Sequence, residues 1–350
     1  MPERAVPTHL QPTRGAGRAD TGWYDPAVRA LMAGFSPAGA AARLSITIFH
    51  RVHAQPDPLF PQEMDSRRFD QVCAWLAAWF TVLPLDEAVR RLADGSLPPR
   101  ALAITFDDGY ADNHAVALPI LRRHGLPATF FIATGFLDGG RMFNDSVIET
   151  VRRCAQSQLD LSSLGLAGLG HLPLHDLAAR TAAIGQILAT IKYLVPDVRL
   201  RATERIARLA GVAALPDDLM MSSSQLRSLA AAGMQIGAHT VSHPILMRLD
   251  DAAARHEIKL GKNQLEQCLD QPVRLFAYPN GRPGTDYCAR DVALVRDLGF
   301  DCAVTTAPGA GQAGADLFQL PRFVPWDRSR LRWAAKLGLN LRTDGQRLGP

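Results

Sequence analysis

The sequence has no run of 18 apolar residues, so no stretch of it reads as a helix that crosses a bilayer. It also lacks any Cys-x-x-Cys spacing. Its five cysteines, Cys73, Cys154, Cys268, Cys288 and Cys302, are scattered and odd in number. They read as reduced thiols, mostly in the core, rather than as a disulfide framework or a zinc ribbon. The sequence has no large excess of charge of one sign. A formal net charge of +4 tolerates anionic surfaces but makes no case for nucleic acid. Residues 1–40 are rich in Pro, Gly, Ala and Arg without the continuous apolar segment of a Sec signal, and Arg14-Gly15-Ala16-Gly17-Arg18 is not a twin-arginine pair. The expectation is a cytoplasmic protein with a partly disordered N-terminal arm over 1–40.

What is present is enough apolar material for a large core: 47% of 350 residues. Short β-branched or apolar runs alternate with helical patterns closed by glycine. Strands are expected over Leu44 to Phe49, near Val82, and over Ala101 to Phe106, Thr129 to Ile132, Met234 to Ala238, Val273 to Tyr278 and Phe300 to Thr305. Helices are expected from Ser66 to Phe80, Asp86 to Asp94, Asp112 to His124, Ser223 to Ala232, Asp250 to Cys268 and Asp286 to Leu298. Strands alternating with helices of this length argue for an α/β fold with a parallel sheet or barrel. The rhythm breaks over 139–218, where helical patterns from Asp145 to Cys154, Leu174 to Leu194 and Ala202 to Leu209 form an insertion. Barrel insertions sit in the loops after strands, so a helical cap near the active-site mouth is expected. Asn144 and Asp145 at its start either touch substrate or cap a helix. Trp75 and Trp79 read as core. Residues 327–350 form a basic C-terminal tail, a helix that docks on the barrel or lies on an anionic membrane surface.

Two stretches carry chemistry. Ala101 to Phe106 ends abruptly in Asp107-Asp108-Gly109-Tyr110. Neighbouring carboxylates repel, and the cost of holding them together falls if a cation neutralises one or if one must stay basic for catalysis. Successive strand residues point in opposite directions, so the two acids can take different roles. Far downstream, the strand to Ala238 ends in His239-Thr240-Val241-Ser242-His243-Pro244. The proline makes a helix improbable there, so this reads as a loop leaving a strand end. Two imidazoles and a carboxylate make a three-ligand set with an open position, the arrangement of catalytic zinc. His50 ends the first strand and is expected to face the same mouth, or else to bond nearby backbone.

Thr105-Phe106-Asp107-Asp108-Gly109-Tyr110, His239-Thr240-Val241-Ser242-His243-Pro244 and Phe276-Ala277-Tyr278-Pro279-Asn280-Gly281 together resemble, in order, three motifs of the polysaccharide deacetylase (NodB-homology) family. The resemblance runs over about residues 44 to 325 apart from the insertion. It implies a distorted, incomplete (β/α) barrel over 41–326 and metal-dependent removal of N-acetyl or O-acetyl groups from glycans. It implies Asp108, His239 and His243 as ligands of one divalent ion, Zn2+ first, with Co2+, Ni2+ or Fe2+ as alternatives. It implies Asp107 as general base, the Tyr110 backbone N–H at the oxyanion, and substrate contacts at Tyr278, Pro279 and Asn280, with Asn144 added from the insertion.

Two positions depart from the family pattern. The arginine usual in the third motif is replaced by Ala277, and the last motif reads Leu320-Pro321-Arg322 where a Leu-x-His is usual. The chain resembles a branch with Phe-Ala-Tyr-Pro-x-Gly and Leu-Pro-Arg. Arg322 stays protonated and is a poor acid, but it can orient Asp107. The general acid then comes from elsewhere: His50, with His53 as runner-up. The expected substrate is an amino-sugar unit of a glycan or its lipid-linked precursor. The alternatives are an amidase for a small non-sugar amide and a carbohydrate-binding pseudoenzyme. Peripheral contact with the inner membrane is expected, if anywhere, through the tail.

Overall fold

A computed structural model describes residues 24–323 and 327–348, apart from the Pro196 side chain. Most of the expected N-terminal arm, residues 1–23, and the start of the expected tail junction, 324–326, lie outside the described residues. In chain order the elements are α1 (Asp25–Phe35), β1 (Ser45–Phe49), α2 (Ser66–Trp79), β2 (Thr81–Val82), α3 (Leu85–Ala93), β3 (Ala101–Phe106), α4 (Leu118–His124) and β4 (Thr129–Ile132). The insertion holds α5 (Phe143–Arg153), a hairpin of β5 (Gln158–Asp160) and β6 (His171–Pro173), α6 (Leu177–Ile191) and α7 (Pro196–Leu209). The barrel resumes with α8 (Ser223–Ala231), β7 (Gln235–Ala238), α9 (Asp251–Leu269), β8 (Leu275–Ala277), α10 (Ala289–Asp297) and β9 (Cys302–Val304), and α11 (Arg330–Asn340) follows.

The seven barrel strands are all parallel, in the order β1-β3-β4-β7-β8-β9, with β2 paired to the start of β3. Strand alternation divides the core in two. Ile46, Ala101, Ala103, Phe131, Leu275, Ala277, Cys302 and Val304 share one cluster inside the barrel. Leu102, Ile104, Phe106, Phe130, Ile132, Ile236 and Phe276 point the other way, into the layer packed by the helices. Every residue of β3 is buried, as expected of a strand covered on both faces.

The sheet does not close strand to strand. Between β9 and β1 runs the segment that ends in Leu320-Pro321-Arg322-Phe323. The Thr305 N–H donates to Leu320 at 2.9 Å, and on the far side the Phe323 N–H donates to Ile46 at 2.7 Å and the Ile48 N–H to Phe323 at 3.0 Å. This is the distorted, incomplete (β/α) barrel that the motifs implied, and the closing segment holds Arg322 inside it.

Two local outcomes differ from the sequence expectations. The helix expected from Asp112 opens with a wider turn over Asn113–Ala117 before α4 begins. The insertion is not wholly helical, because β5 and β6 are three polar-flanked residues each, too short to show an alternating pattern. It has its own apolar core, in which Val147, Val151, Ile184, Ile187 and Ile206 pack with Leu59 from the loop after β1. At the C-terminus, α11 buries Trp333, Ala334 and Leu337 in the main core and packs near α1. All five cysteines are unpaired, and Cys73, Cys154 and Cys302 are buried.

Candidate active site at the barrel mouth

The polar groups gather where the parallel strands end. On β3 the inward series Ala101, Ala103, Thr105 continues to Asp107, so the Asp107 carboxylate enters the barrel top and is 2% exposed. Arg322 meets it there from the closing segment. Its two terminal nitrogens donate to Asp107 Oδ1 and Oδ2, both at 2.7 Å, while Nε donates to the Thr305 carbonyl at 2.7 Å and a terminal nitrogen reaches Thr105 Oγ1 at 3.2 Å. Arg322 is fully buried, and a forked pair of this kind fixes both position and charge. Burial alone raises the Asp107 pKa, but the Arg322 and His239 charges and the Arg322 hydrogen bonds outweigh it, and the carboxyl sits below its usual range.

Asp108 leaves the strand with φ at +76°, a left-handed backbone that turns its carboxylate over the rim. Thr240, His243 and Asn280, also non-glycine, take positive φ around the same mouth, a clustering of backbone strain characteristic of functional sites. Asp108 Oδ1 lies 3.5 Å from Nε2 of both His239 and His243. Each of the three residues offers one ligand atom, all within 4.8 Å of one another. Ligands about 2.1 Å from a tetrahedral zinc stand roughly 3.4 Å apart, so this spacing fits one ion. Asp108 Oδ1 is moreover buried and has no hydrogen-bond partner, an orphaned acceptor of the kind that an ion satisfies.

The histidines are aimed by their surroundings. His239 Nδ1–H donates to the Ala277 carbonyl at 2.7 Å, which leaves Nε2 facing the acids. Against burial, the Asp107 and Asp108 charges hold the His239 pKa above its ordinary value. For His243 burial wins, and its pKa falls to about 4, so the ring is neutral and free to ligate near neutral pH. Glu257 on α9 clasps the loop between them, accepting from the N–H groups of Val241 and Ser242 at 2.9 Å each and from Ser242 Oγ at 2.7 Å. Gly261 lets α9 approach that loop. A Cβ there would stand 2.8 Å from the Thr240 backbone.

His50, Asp107, Asp108, His239, His243, Asn144 and Asn280 line one cleft of about 350 Å3, joined by Met142, Phe143, Leu188, Ala189, Lys192 and Arg199 from the insertion. The Asn113 side-chain amide holds the His50 carbonyl at 2.8 Å. His53 does not line this cleft and pairs with Glu63 at 2.6 Å. Asn144 and Asp145 do not cap α5, whose N-cap is Met142. Asn144 lines the cleft, and Asp145 accepts from the Tyr110 hydroxyl at 3.1 Å. Burial, first of all, raises the Asp145 pKa to about 7. The Tyr110 ring is buried under the Arg51 guanidinium, 4.7 Å away, and Arg51 pairs with Asp112 at 2.8 Å. The Tyr110 N–H has no acceptor among the described residues.

Tyr278 and Pro279, expected at the substrate, are not in the cleft. Both are buried. The Tyr278 ring stacks on Tyr287 with centroids 4.0 Å apart, and its hydroxyl donates to the Phe318 carbonyl at 3.0 Å. The side chain that follows the strand end on the outer face belongs to the helix layer, and only Asn280 turns back to the mouth. Glu257, Asn113, Arg51 and Lys192 went unnoticed in the sequence because no spacing links them to the motifs.

A family model described as polysaccharide deacetylase matches residues 94–194 and 201–303, more than half of the chain. The Bacillus subtilis protein YxkH, described as a polysaccharide deacetylase, is 20% identical over 283 residues, 80% of this chain and 71% of that protein. Among solved structures, the Streptococcus pyogenes deacetylase PplD in complex with acetate is 20% identical with a TM-score of 0.56, covering 86% of this chain and 98% of that one. IcaB from Ammonifex degensii is 19% identical with a TM-score of 0.55, covering 88% and 99%. These structural likenesses carry the barrel fold, and the family match adds the chemistry to which the mouth's Asp-His-His cluster conforms: the chain belongs to the polysaccharide deacetylase family, metal-dependent hydrolases that act on carbon–nitrogen bonds other than peptide bonds.

Proposed function

We propose that this protein hydrolyses the acetamide of an N-acetylated amino sugar in a glycan or its lipid-linked precursor. The observation that carries the reading is the Asp108–His239–His243 cluster within 4.8 Å, beside a second carboxylate gripped at 2.7 Å by a buried arginine. Asp108, His239 and His243 would hold one divalent ion. Zn2+ suits this nitrogen and oxygen set best, with Co2+, Ni2+ or Fe2+ as substitutes. Such an ion supplies Lewis acidity toward the amide carbonyl and toward water. Asp107, kept ionised by Arg322, takes the proton of the attacking water. The Tyr110 N–H would donate to the oxygen on which charge develops. His50, in the same cleft, gives the proton that the leaving amine requires, a step that Arg322 cannot perform. Asn144 and Asn280 supply amides for sugar hydroxyls. The complete ionisable set argues against a carbohydrate-binding pseudoenzyme, and no feature of the cleft favours a small non-sugar amide.

Acetate release from metal-repleted protein across a panel of N-acetylated glycans tests the reaction. Elemental analysis should find about one ion per chain, and His243→Ala should lose it. Full metal content in that variant would remove the proposed ligand set. We also read the protein as cytoplasmic. Fractionation that finds an N-terminally processed periplasmic form would reverse this.

A further inference from the structure

Exposed apolar surface is unevenly spread over the molecule. Of the nine large apolar side chains that stand exposed among the described residues, four, Tyr193, Val195, Val198 and Leu200, fall within eight residues at the α6–α7 corner, at 39–67% exposure. Scattered exposed leucines need no explanation, but a cluster of this kind marks a contact surface. The cluster is not a frayed core. On the same two helices Ile187, Ile191 and Ile206 are fully buried in the insertion's own cluster.

The corner is also basic. From Lys192 to Arg208 the chain carries Lys192, Arg199, Arg201, Arg205 and Arg208 against Asp197 and Glu204. Arg201, Arg205 and Arg208 recur at helical spacing on an exposed face. The corner adjoins the cleft as well. Lys192 and Arg199 line it, and Arg199 is held in place by stacking 4.3 Å over Phe143 and donating to the Lys192 carbonyl at 3.1 Å.

We infer that the α6–α7 corner is a membrane-docking edge that seats the mouth of the cleft on an anionic lipid surface. Tyrosine, valine and leucine enter the headgroup–acyl boundary while arginines reach the phosphates, the division of labour of an interfacial helix. A second copy of the chain would bring two basic corners together, so charge argues against a self-interface. The C-terminal helix is less suited, since α11 exposes just two large apolar side chains, Leu331 and Leu339, and has its Trp333 and Leu337 in the core. The docking does not depend on the deacetylase reading. It adds to that reading a lipid surface at the cleft's entrance, from which a lipid-carried glycan can enter.

Vesicle flotation of the full chain tests this. The protein should float with vesicles of phosphatidylcholine and phosphatidylglycerol, and much less with phosphatidylcholine alone. Val195→Asp with Leu200→Asp should abolish flotation. Arg201→Gln with Arg205→Gln should weaken binding to anionic vesicles by about fivefold per charge and leave the neutral-vesicle signal unchanged. Thermal unfolding of each variant and acetate release from a soluble N-acetylglucosamine oligomer should match the wild type, which separates lost docking from lost fold or lost chemistry. Undiminished flotation of both variants would overturn the assignment. So would failure of the wild type to bind anionic vesicles, or a wild-type dimer that the aspartate pair disperses.

Discussion

The barrel rim and the cap both line one cleft but are built by different means. At the rim, Asp107 and the two histidine ligands are held by direct contacts from the rest of the barrel. Asp107 has two bonds from a buried arginine, His239 has a carbonyl behind it, and the His243 loop is clasped by a glutamate on a helix. The cap reaches the cleft through Asn144, Lys192 and Arg199, which are only half-buried and stand on a separate core. Reacting atoms tolerate little misplacement, whereas contacts to distant parts of a substrate can be adjusted without disturbing the chemistry. Changes at the rim should therefore act on turnover and folding together, and changes to the cap side chains that line the cleft on substrate affinity without loss of turnover.

The sharpest way to break that contrast is Asp107→Asn. Turnover should fall by about 10² or more, the worth of a general base. Stability should fall too, because Arg322 is left as a buried charge without its counter-ion. Acetate release and denaturant titration check the two effects, and near-normal turnover would remove Asp107 from the role of base.

Arg322→Met attacks the same pair from the other side. Loss of one partner of a buried pair costs about 3–5 kcal/mol, measurable by chemical unfolding. The Asp107 pKa is held down chiefly by Arg322 against burial. A lowered native pKa adds stability that is present above the unfolded value and is lost as pH falls through the native one. Removing the arginine should therefore move the acid limb of kcat/KM to higher pH. Arg322→Lys should restore the charge but not the two-point grip.

His50→Ala should lower kcat by roughly tenfold to a hundredfold, leave metal content alone and remove the alkaline limb of the pH–rate profile. A retained limb would place the acid elsewhere. In the cap, Asn144→Ala should raise KM a few-fold at unchanged kcat and unchanged stability. An equal loss in kcat would erase the distinction between rim and cap.

The smallest effect belongs to Asp145, on the cap side of Tyr110. Burial raises its pKa to about 7, above the unfolded value of about 3.9. The folded chain therefore holds this proton more tightly. The stability that Asp145 contributes is complete below about pH 4 and declines as pH rises toward about 7. Asp145→Asn should flatten that decline and raise Tm above pH 7. Calorimetry at pH 5 and pH 8 reads it.

The strands and their ends were legible because burial on both faces leaves a run of apolar residues that stops where the chain turns polar. Ala101–Phe106 and Thr129–Ile132 have the bounds that their patterns imply. The Asp107-Asp108 pair and the His239–His243 spacing were legible for the same reason, since a barrel puts every parallel strand's C-terminal end at one mouth. Tyr278 was misjudged because motif order carries no information about which face a strand-end side chain takes, and here that face is the helix layer. Arg322 lies 215 residues from Asp107; the motif resemblance already offered it as the residue that orients Asp107, and the closing segment between β9 and β1 is what brings the two together. Likewise the basic and apolar residues of 192–208 are unremarkable in sequence. They become a surface because α6 and α7 bury Ile187, Ile191 and Ile206 and turn the rest outward beside the cleft. Local pattern thus settles which residues leave water, while the choice of partners among them depends on contacts across the chain that only the packed structure makes.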